Sequence, residues 1–487
     1  MSMSQDFIGK NFIGGAWVPA SNGGTFERRN PADNEDVVGH FPASTPEDAK
    51  RAVEGVDQGR HDWAATDPEK RMTVLEKAAD LILERVEDLA RELTREEGKP
   101  LGSATMEWKR TAANFRLYAG EALRSLGETF PVAGNSLVCS IREPVGVVLA
   151  ITPWNFPVSI PSRKIGPALA TGNGVVFKPS EVTPLSGQRM VEILLEAGVP
   201  EGAIALVQGG GAELGTALVT APAVKAVTFT GSFATGSAIH QAAGPSKRLQ
   251  LEMGGKNPCI VLEDADTERA AQIIAQGAFN LTGQACTATS RAFVMDSIYD
   301  EVLEKVVNKA RAIKVGNGLD KNTKMGPLAT QAQFDKVREM IEVGKTEGLR
   351  MAYGADDLET PLPQNGFYVA PTVFADVPNS SRLAQEEIFG PVVCLHRVNN
   401  YEDAIRQANT VEYGLAASLV TRDMGRALSF AHDIEAGVIK INSATGGVAL
   451  TAPFGGIKHS SNQTYKEQAG HGVMDFYTTT KTVYLAD

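Results

Sequence analysis

Cysteine and histidine are scarce in this sequence, four and seven in 487 residues, and neither forms a recognisable framework. Cys139, Cys259, Cys286 and Cys394 show no C-x-x-C spacing and are far too sparse for a disulfide-stapled domain. Free thiols in a reducing compartment are expected, at most one or two of them chemically special. No H-x-x-x-H pair occurs, so no metal site is expected. Basic runs are also missing. Lys and Arg total 47 against 58 Asp and Glu, a formal net charge of −11, which argues against nucleic acid or an anionic membrane as partner. No stretch approaches the roughly 18 apolar residues of a membrane span, and the opening MSMSQDFIGKNFIGG has no apolar signal core. A cytoplasmic protein is the expectation.

What is present is ordinary globular composition, 43% hydrophobic and 22% charged, in a chain long enough for two or three domains. Residues 68–98 carry Leu75, Ala78, Ala79, Ile82, Val86, Leu89 and Leu93 on one stripe. They predict a single long packing helix, ended by Gly98 and Pro100, with no chemistry assigned to it. Short apolar runs at 145–151, 174–177, 203–207 and 226–229 then alternate with helical segments, the pattern of buried parallel strands. Thr183 and Pro184 read as N-cap and first position of a helix ending at Gly198. A second set of strands, 259–262, 292–295, 392–395, 417–420 and 438–442, is interleaved with helices such as 266–280 and predicts a second α/β unit after about residue 254. The strand-like pieces within 121–142 and the tail DFYTTTKTVYL fit neither sheet and read as edge or hairpin strands.

Four segments carry candidate chemistry. The 226–229 strand runs into Thr230-Gly231-Ser232 and a helix, a place for pyrophosphate or a plain strand-to-helix turn. Lys178 and Glu181, just beyond the 174–177 strand, read either as ribose ligands or as a solvated loop pair. Cys286 lies in a run of small residues that leaves room for a substrate, whereas Cys259 and Cys394 sit in apolar strands. With no histidine nearby, Glu252 on an apolar strand ending in two glycines is either a general base or an edge-exposed, salt-bridged carboxylate.

Together these segments resemble the aldehyde dehydrogenase superfamily over essentially the whole chain. The likeness is carried by TPWNFP (152–157), KPSE (178–181), FTGS (229–232), LEMGGKNP (251–258), GQACTATSR (283–291), EEIFGPV (386–392) and PFGGIKHSS (453–461). The resemblance implies an α/β fold of two doubly wound, Rossmann-like domains with a small β extension for oligomerisation. It assigns 1–121 and 144–253 to NAD(P) binding, 254–471 to catalysis, and 122–143 with 472–487 to oligomerisation strands of a homodimer or homotetramer. It implies that Cys286 attacks the aldehyde as thiolate, that the Asn155 amide and the Cys286 N–H hold the oxyanion, and that Glu252 activates the water that hydrolyses the thioester. It further implies that Lys178 and Glu181 hold the adenosine ribose, Gly231 and Ser232 the pyrophosphate, and Glu387 and Phe389 the nicotinamide end. Thr152, Trp154, Ser180, Gly211 and Gly254 are expected against the cofactor as well. Glu467 would lie on a proton-exit path, although its YKEQ flanks depart from the commoner pattern. A carboxylate at 181 favours NAD, with NADP possible.

Two features bear on the aldehyde. Arg163 stands where relatives acting on succinate semialdehyde bind a distal carboxylate, or else is a surface cation. The ending YKEQ with DFYTTTKTVY, together with GQACTATSR, is similar to the α-ketoglutaric semialdehyde (2,5-dioxopentanoate) dehydrogenases of sugar-acid breakdown. Both point to a small anionic aldehyde, with a broad-specificity dehydrogenase as the alternative.

Overall fold

A computed structural model of the chain describes residues 7–124, 127–132, 136–358, 361–465 and 469–486. Two seven-stranded sheets organise it. In the first, Val147–Ile151 (β1), Gly174–Lys178 (β2), Ile204–Leu206 (β3), Val224–Thr230 (β4) and Arg248–Glu252 (β5) lie parallel in the order β5-β4-β1-β2-β3. The strands Asn11–Ile13 and Ala16–Val18 close one edge antiparallel. The central strands β1 and β3, and β2 up to Lys178, are apolar throughout because both faces are covered. Val148, Ala150, Val175 and Phe177 pack into one core, while Val147, Leu149 and Val176 pack into the core on the opposite face.

The chain lays down β1, β2 and β3 in one direction, then crosses back to place β4 beside β1. That reversal opens a crevice at the carboxyl ends of β1 and β4, where open α/β sheets bind ligands. The second sheet has the order β8-β9-β10-β7-β6-β11-β12, built from Asn257–Val261 (β6), Thr289–Met295 (β7), Arg350–Tyr353 (β8), Thr372–Ala375 (β9), Val392–Val398 (β10), Ala416–Val420 (β11) and Val438–Ile441 (β12). Its strands β6, β7, β10, β11 and β12 coincide with the apolar runs of the sequence, whereas β9, parallel to β10, was not among them. The short antiparallel edge pair β8–β9 was not legible there.

The pieces that fitted neither sheet pair with one another. Thr129–Phe130, Leu137–Pro144 and Thr478–Leu485 form a separate antiparallel sheet, in register from Thr478 opposite Pro144 to Leu485 opposite Leu137. Just before the last strand, Val473, Met474, Phe476 and Tyr477 pack into the core of the first sheet. Among the described residues no helix is long and apolar enough to cross a membrane.

Two local expectations are corrected. The 68–98 helix is broken into Pro68–Glu84 (α1) and Val86–Glu97 (α2) at Arg85, which leaves helical geometry (φ −109°, ψ 11°) and pairs its guanidinium with Glu196 at 2.5 and 2.7 Å. The break lets both halves pack against Leu101–Ala122 (α3) and Pro184–Ala197 (α5), flanking Ser159–Ala170 (α4). Nor does Thr183 cap α5, since its side chain makes no cap bond. Glu96, wholly buried at the end of α2, does so instead: its carboxylate accepts the Leu185 N–H at 2.6 Å, the Ser186 N–H at 3.0 Å and the Ser186 hydroxyl at 2.5 Å. Removing this acceptor by Glu96→Ala orphans two buried N–H groups. It is expected to cost about 2–4 kcal/mol of stability, read as a lower denaturant midpoint. An unchanged midpoint would refute the capping role.

Candidate active site

The last strand of the first sheet leads through residues 253–256 into the first strand of the second, and the candidate residues gather around this link. Glu252 ends β5, is 2% exposed, and lies opposite Thr230 of β4. Cys286 approaches from the loop between the Thr267–Phe279 helix and β7. That loop holds three successive residues in the left-handed region, Leu281 (φ 53°), Thr282 (φ 58°) and Gly283 (φ 68°). Such backbone is strained for a β-branched threonine and persists only when its surroundings over-determine it. Here the Thr282 hydroxyl donates to the Gly326 carbonyl at 3.0 Å, and the Gln284 amide oxygen accepts the Ala329 N–H at 2.9 Å. A Cβ on Gly283 would run into the Gly390 carbonyl. The Cys286 carbonyl accepts from the Asn257 amide at 2.8 Å. Cys286 is therefore presented, half-buried, on a rigid loop, in an apolar cluster with Leu415, Phe454 and Val448.

Burial pushes the Cys286 thiol up to about 12, the charges of Glu387 and Glu252 add to this, and Arg163 opposes it. A group raised in this way stays a thiol at neutral pH, and forming its thiolate would call for a base. Burial raises Cys259 and Cys394 as well, to about 12 and about 11. Those two lie within β6 and β10, and neither shares its surroundings with Glu252 and Arg163. Asn155, in the segment after β1, is 3% exposed; its amide nitrogen donates to the Gln284 carbonyl at 2.8 Å, and its amide oxygen has no partner among the described residues. Lys164 of α4, to which no role was assigned from the sequence, is fully buried and donates to the Thr228 hydroxyl at 2.9 Å. Burial draws its amine down to about 7, with the Glu252 charge opposing. A thiol, a donor amide and a carboxyl converging at one place can form, hold and hydrolyse an acyl group on sulfur.

Arg163 is not a surface cation. It is half-buried on α4, its guanidinium lowered first by burial and then by the charge of Arg110, while Tyr118, Cys286 and Glu107 oppose the shift. Arg110 reaches in from α3 and donates to the Val448 carbonyl at 2.7 Å, beside the Cys286 cluster. Neither arginine has a carboxylate ion-pair partner among the described residues. Two like charges within electrostatic reach of each other, neither directly ion-paired among the described residues, make a setting for an anion.

The crevice of the first sheet collects the remaining candidates. Thr152 follows β1, its N–H donating to the Lys178 carbonyl at 3.2 Å and its buried hydroxyl without a partner among the described residues. Lys178 ends β2, buried, its amine lowered by burial against the opposing charge of Glu181. The Ser180 hydroxyl accepts the Val182 N–H at 3.2 Å, and the Glu181 carboxyl faces Gly210. Gly211 (φ 101°) opens the Ala212–Thr220 helix with open space where a Cβ would lie. Ser232 caps the Phe233–Ala243 helix through the Thr235 N–H at 3.2 Å, and the Gly231 N–H donates to the Glu252 carbonyl at 3.1 Å. Helix N-termini, an orphaned hydroxyl and side-chain-free backbone fit a dinucleotide.

At the far end the Glu387 carboxyl accepts the Gly255 N–H at 2.9 Å and abuts Gly254 so closely that a Cβ there would collide with it. Burial raises Glu387, against the Gly255 bond and the charges of Lys336 and Lys256. Phe389 (φ 59°) meets Trp154 edge-on at 5.5 Å, its loop held by the Gln333 amide donating to the Ile388 and Phe389 carbonyls at 3.0 and 2.9 Å. Glu467 lies outside the described residues. No cluster of three or more metal-binding side chains occurs among the described residues.

A family model described as the aldehyde dehydrogenase family matches residues 17–483. The alpha-ketoglutaric semialdehyde dehydrogenase of Bacillus subtilis (strain 168) is 44% identical over 477 residues, covering 98% of this chain and 97% of its own. The 2,5-dioxopentanoate dehydrogenase of Saccharolobus solfataricus is 39% identical over 472 residues, 96% of this chain and 97% of its own. Among solved structures, the NAD-dependent aldehyde dehydrogenase from Sinorhizobium meliloti superposes with a TM-score of 0.94 at 35% identity, covering 99% of this chain and 95% of that one.

The raised thiol sets a pH test. Iodoacetamide labelling of Cys286 in the ligand-free protein should climb about tenfold per pH unit between pH 7 and 10 without levelling, because the thiolate is still a small minority there. A plateau below pH 8, located by peptide mapping, would show a low-pKa thiolate instead.

Proposed function

The chain belongs to the aldehyde dehydrogenase family, and on that footing we propose that it oxidises a short aldehyde with a distal carboxylate to the acid, using NAD. The preferred substrate in this reading is α-ketoglutaric semialdehyde, giving α-ketoglutarate. The observation that carries the substrate class is the Arg163–Arg110 pair beside Cys286, cations with no carboxylate partner among the described residues. Relatives described as acting on that semialdehyde, at 39–44% identity over nearly the full chain, support the choice.

In this reading Glu252 takes the proton from the Cys286 thiol as sulfur attacks the aldehyde carbon. The developing oxyanion is held by the Asn155 amide and the Cys286 N–H. The dinucleotide supplies, when bound, the acceptor for the aldehyde hydride. Collapse leaves a thioester on Cys286, and Glu252, relieved of its first proton, deprotonates the water that cleaves it. The acid departs, and sulfur recovers a proton. Lys164, within electrostatic reach of Glu252, offers a route for the protons released, with Glu467 proposed further along it.

Thr152, Trp154, Lys178, Ser180, Glu181, Gly211, Gly231, Ser232, Gly254, Glu387 and Phe389 would line the dinucleotide from adenosine ribose to nicotinamide. A carboxylate at Glu181 accepts a ribose hydroxyl and repels a 2′-phosphate, which favours NAD over NADP. Homodimers or homotetramers, joined through the separate three-stranded sheet with its exposed Phe130, Leu137, Ile141 and Leu485, and a cytoplasmic setting complete the reading.

Two measurements test it. The kcat/KM for α-ketoglutaric and succinate semialdehydes should exceed that for an uncharged aldehyde of equal length. Arg163→Leu should remove about 2–4 kcal/mol of that specificity for the anionic substrates alone; equal losses on all three would refute the carboxylate clamp and favour a broad-specificity enzyme. Glu252→Gln should leave slow acylation followed by a stalled thioester, seen by mass spectrometry as an acyl adduct on Cys286. Full steady-state turnover in that variant would remove Glu252 from the mechanism.

A further inference from the structure

The start of α4 lacks a cap of its own. Val158 stands at the N-cap position and has no side-chain acceptor, yet Val158 and Ser159 are buried. Glu107, from the neighbouring α3, makes good the deficit: its Oε1 accepts the Val158 and Ser159 N–H groups, both at 3.1 Å. Its Oε2 accepts from the Lys99 ammonium at 2.6 Å, and that ammonium donates again, at 2.7 Å, to the main-chain carbonyl of Asn155. Lys99 also lies over the Phe156 ring at 5.0 Å, with the Glu97 carboxylate 3.8 Å from its nitrogen. The Lys99 and Glu107 side chains are 1% and 3% exposed.

The consequence is a clamp on residues 155–159, held by the carbonyl at one end and by two N–H groups at the other. With the backbone fixed, only the two side-chain torsions of Asn155 stay open. The hydrogen bond from its amide to the Gln284 carbonyl, on the Cys286 loop, closes those. A buried ion pair is a poor source of stability, because desolvation offsets most of the attraction and apolar replacements are often neutral. What the pair supplies here is direction, which an apolar substitute cannot. We propose that Lys99 and Glu107 are positioning residues that aim the Asn155 amide at the oxyanion formed on the Cys286-bound carbon. This rests on the reading of Asn155 as oxyanion donor.

The test compares Lys99→Met, Lys99→Arg, Glu107→Gln, Asn155→Ala and the Lys99→Met/Asn155→Ala double variant of the full chain, with an anionic semialdehyde and NAD. Lys99→Met should lower kcat by about 10- to 100-fold, with KM and NAD affinity, the latter from fluorescence quenching, within about threefold. In the Asn155→Ala background the same change should cost little more, since both act through one amide. Lys99→Arg, which keeps donors for both partners, should restore most of the rate. Multiplicative losses in the double variant, or a lowered unfolding midpoint with kcat intact, would overturn the proposal while leaving Asn155 as donor. Full turnover in Asn155→Ala would overturn the donor reading, and this proposal with it. Should Lys99→Met fail to fold, Glu107→Gln decides, because it keeps an acceptor for the α4 N–H groups and weakens only the hold on Lys99; undiminished kcat there refutes the clamp.

Discussion

Residues 253–256 carry the chain from one sheet into the next, and the site depends on how closely other segments approach that short link. Gly255 admits the Cys286 carbonyl and Gly254 admits the Glu387 carboxyl at distances that any side chain would block. The link is held from outside by Ser460, whose carbonyl accepts the Met253 N–H at 2.9 Å and whose hydroxyl donates to the Gly254 carbonyl at 2.7 Å. Glu252 comes from the first sheet and Cys286 from the second. They share one environment because the backbone between the sheets is bare enough to be crowded.

That environment carries opposed charges around a neutral sulfur. Glu252 and Glu387 raise the thiol, Arg163 lowers it, and burial exceeds all three. In the proposed reading reactivity is conditional, because a thiol raised in this way is a poor nucleophile until a base takes its proton. The arginines, in the same reading, lie beside that sulfur, where the distal carboxylate of a substrate would relieve the repulsion between Arg163 and Arg110. Recognition of the distal end and activation of the thiol share Arg163, in that reading, as a common electrostatic element.

Much of this was legible in the residues themselves. Apolar runs bounded by glycine and proline marked the parallel strands of both sheets except β9, and Cys286 stood out because its loop is small and polar where Cys259 and Cys394 sit in strands. What stayed hidden has a common physical cause. Glu96, Glu107, Arg110 and Lys164 on helices, and Lys99 in the link between α2 and α3, look one at a time like solvated charges, since a charged side chain is seldom buried without a partner. Apart from the Lys99–Glu107 pair, their partners lie dozens of residues away, so the capping of one helix by another and the bracing of Asn155 appear only when α2, α3, α4 and α5 are packed. The break at Arg85 escaped for a similar reason, because the apolar stripe continues across it while the bond that stabilises it reaches to Glu196. The edge pair β8–β9 is too short for periodicity to reveal.

The closing segment of the chain has a bearing on how the molecule is made. Val473, Met474, Phe476 and Tyr477 belong to the core of the first sheet, and the strand after them zips onto Leu137–Pro144, more than 330 positions earlier in the chain. During synthesis the first sheet emerges early but must wait for the entire second sheet before its core and flanking strand are complete. Such distant closure is slow to find. The half that holds Glu252 can therefore acquire its finished shape only after the half that holds Cys286 has been made.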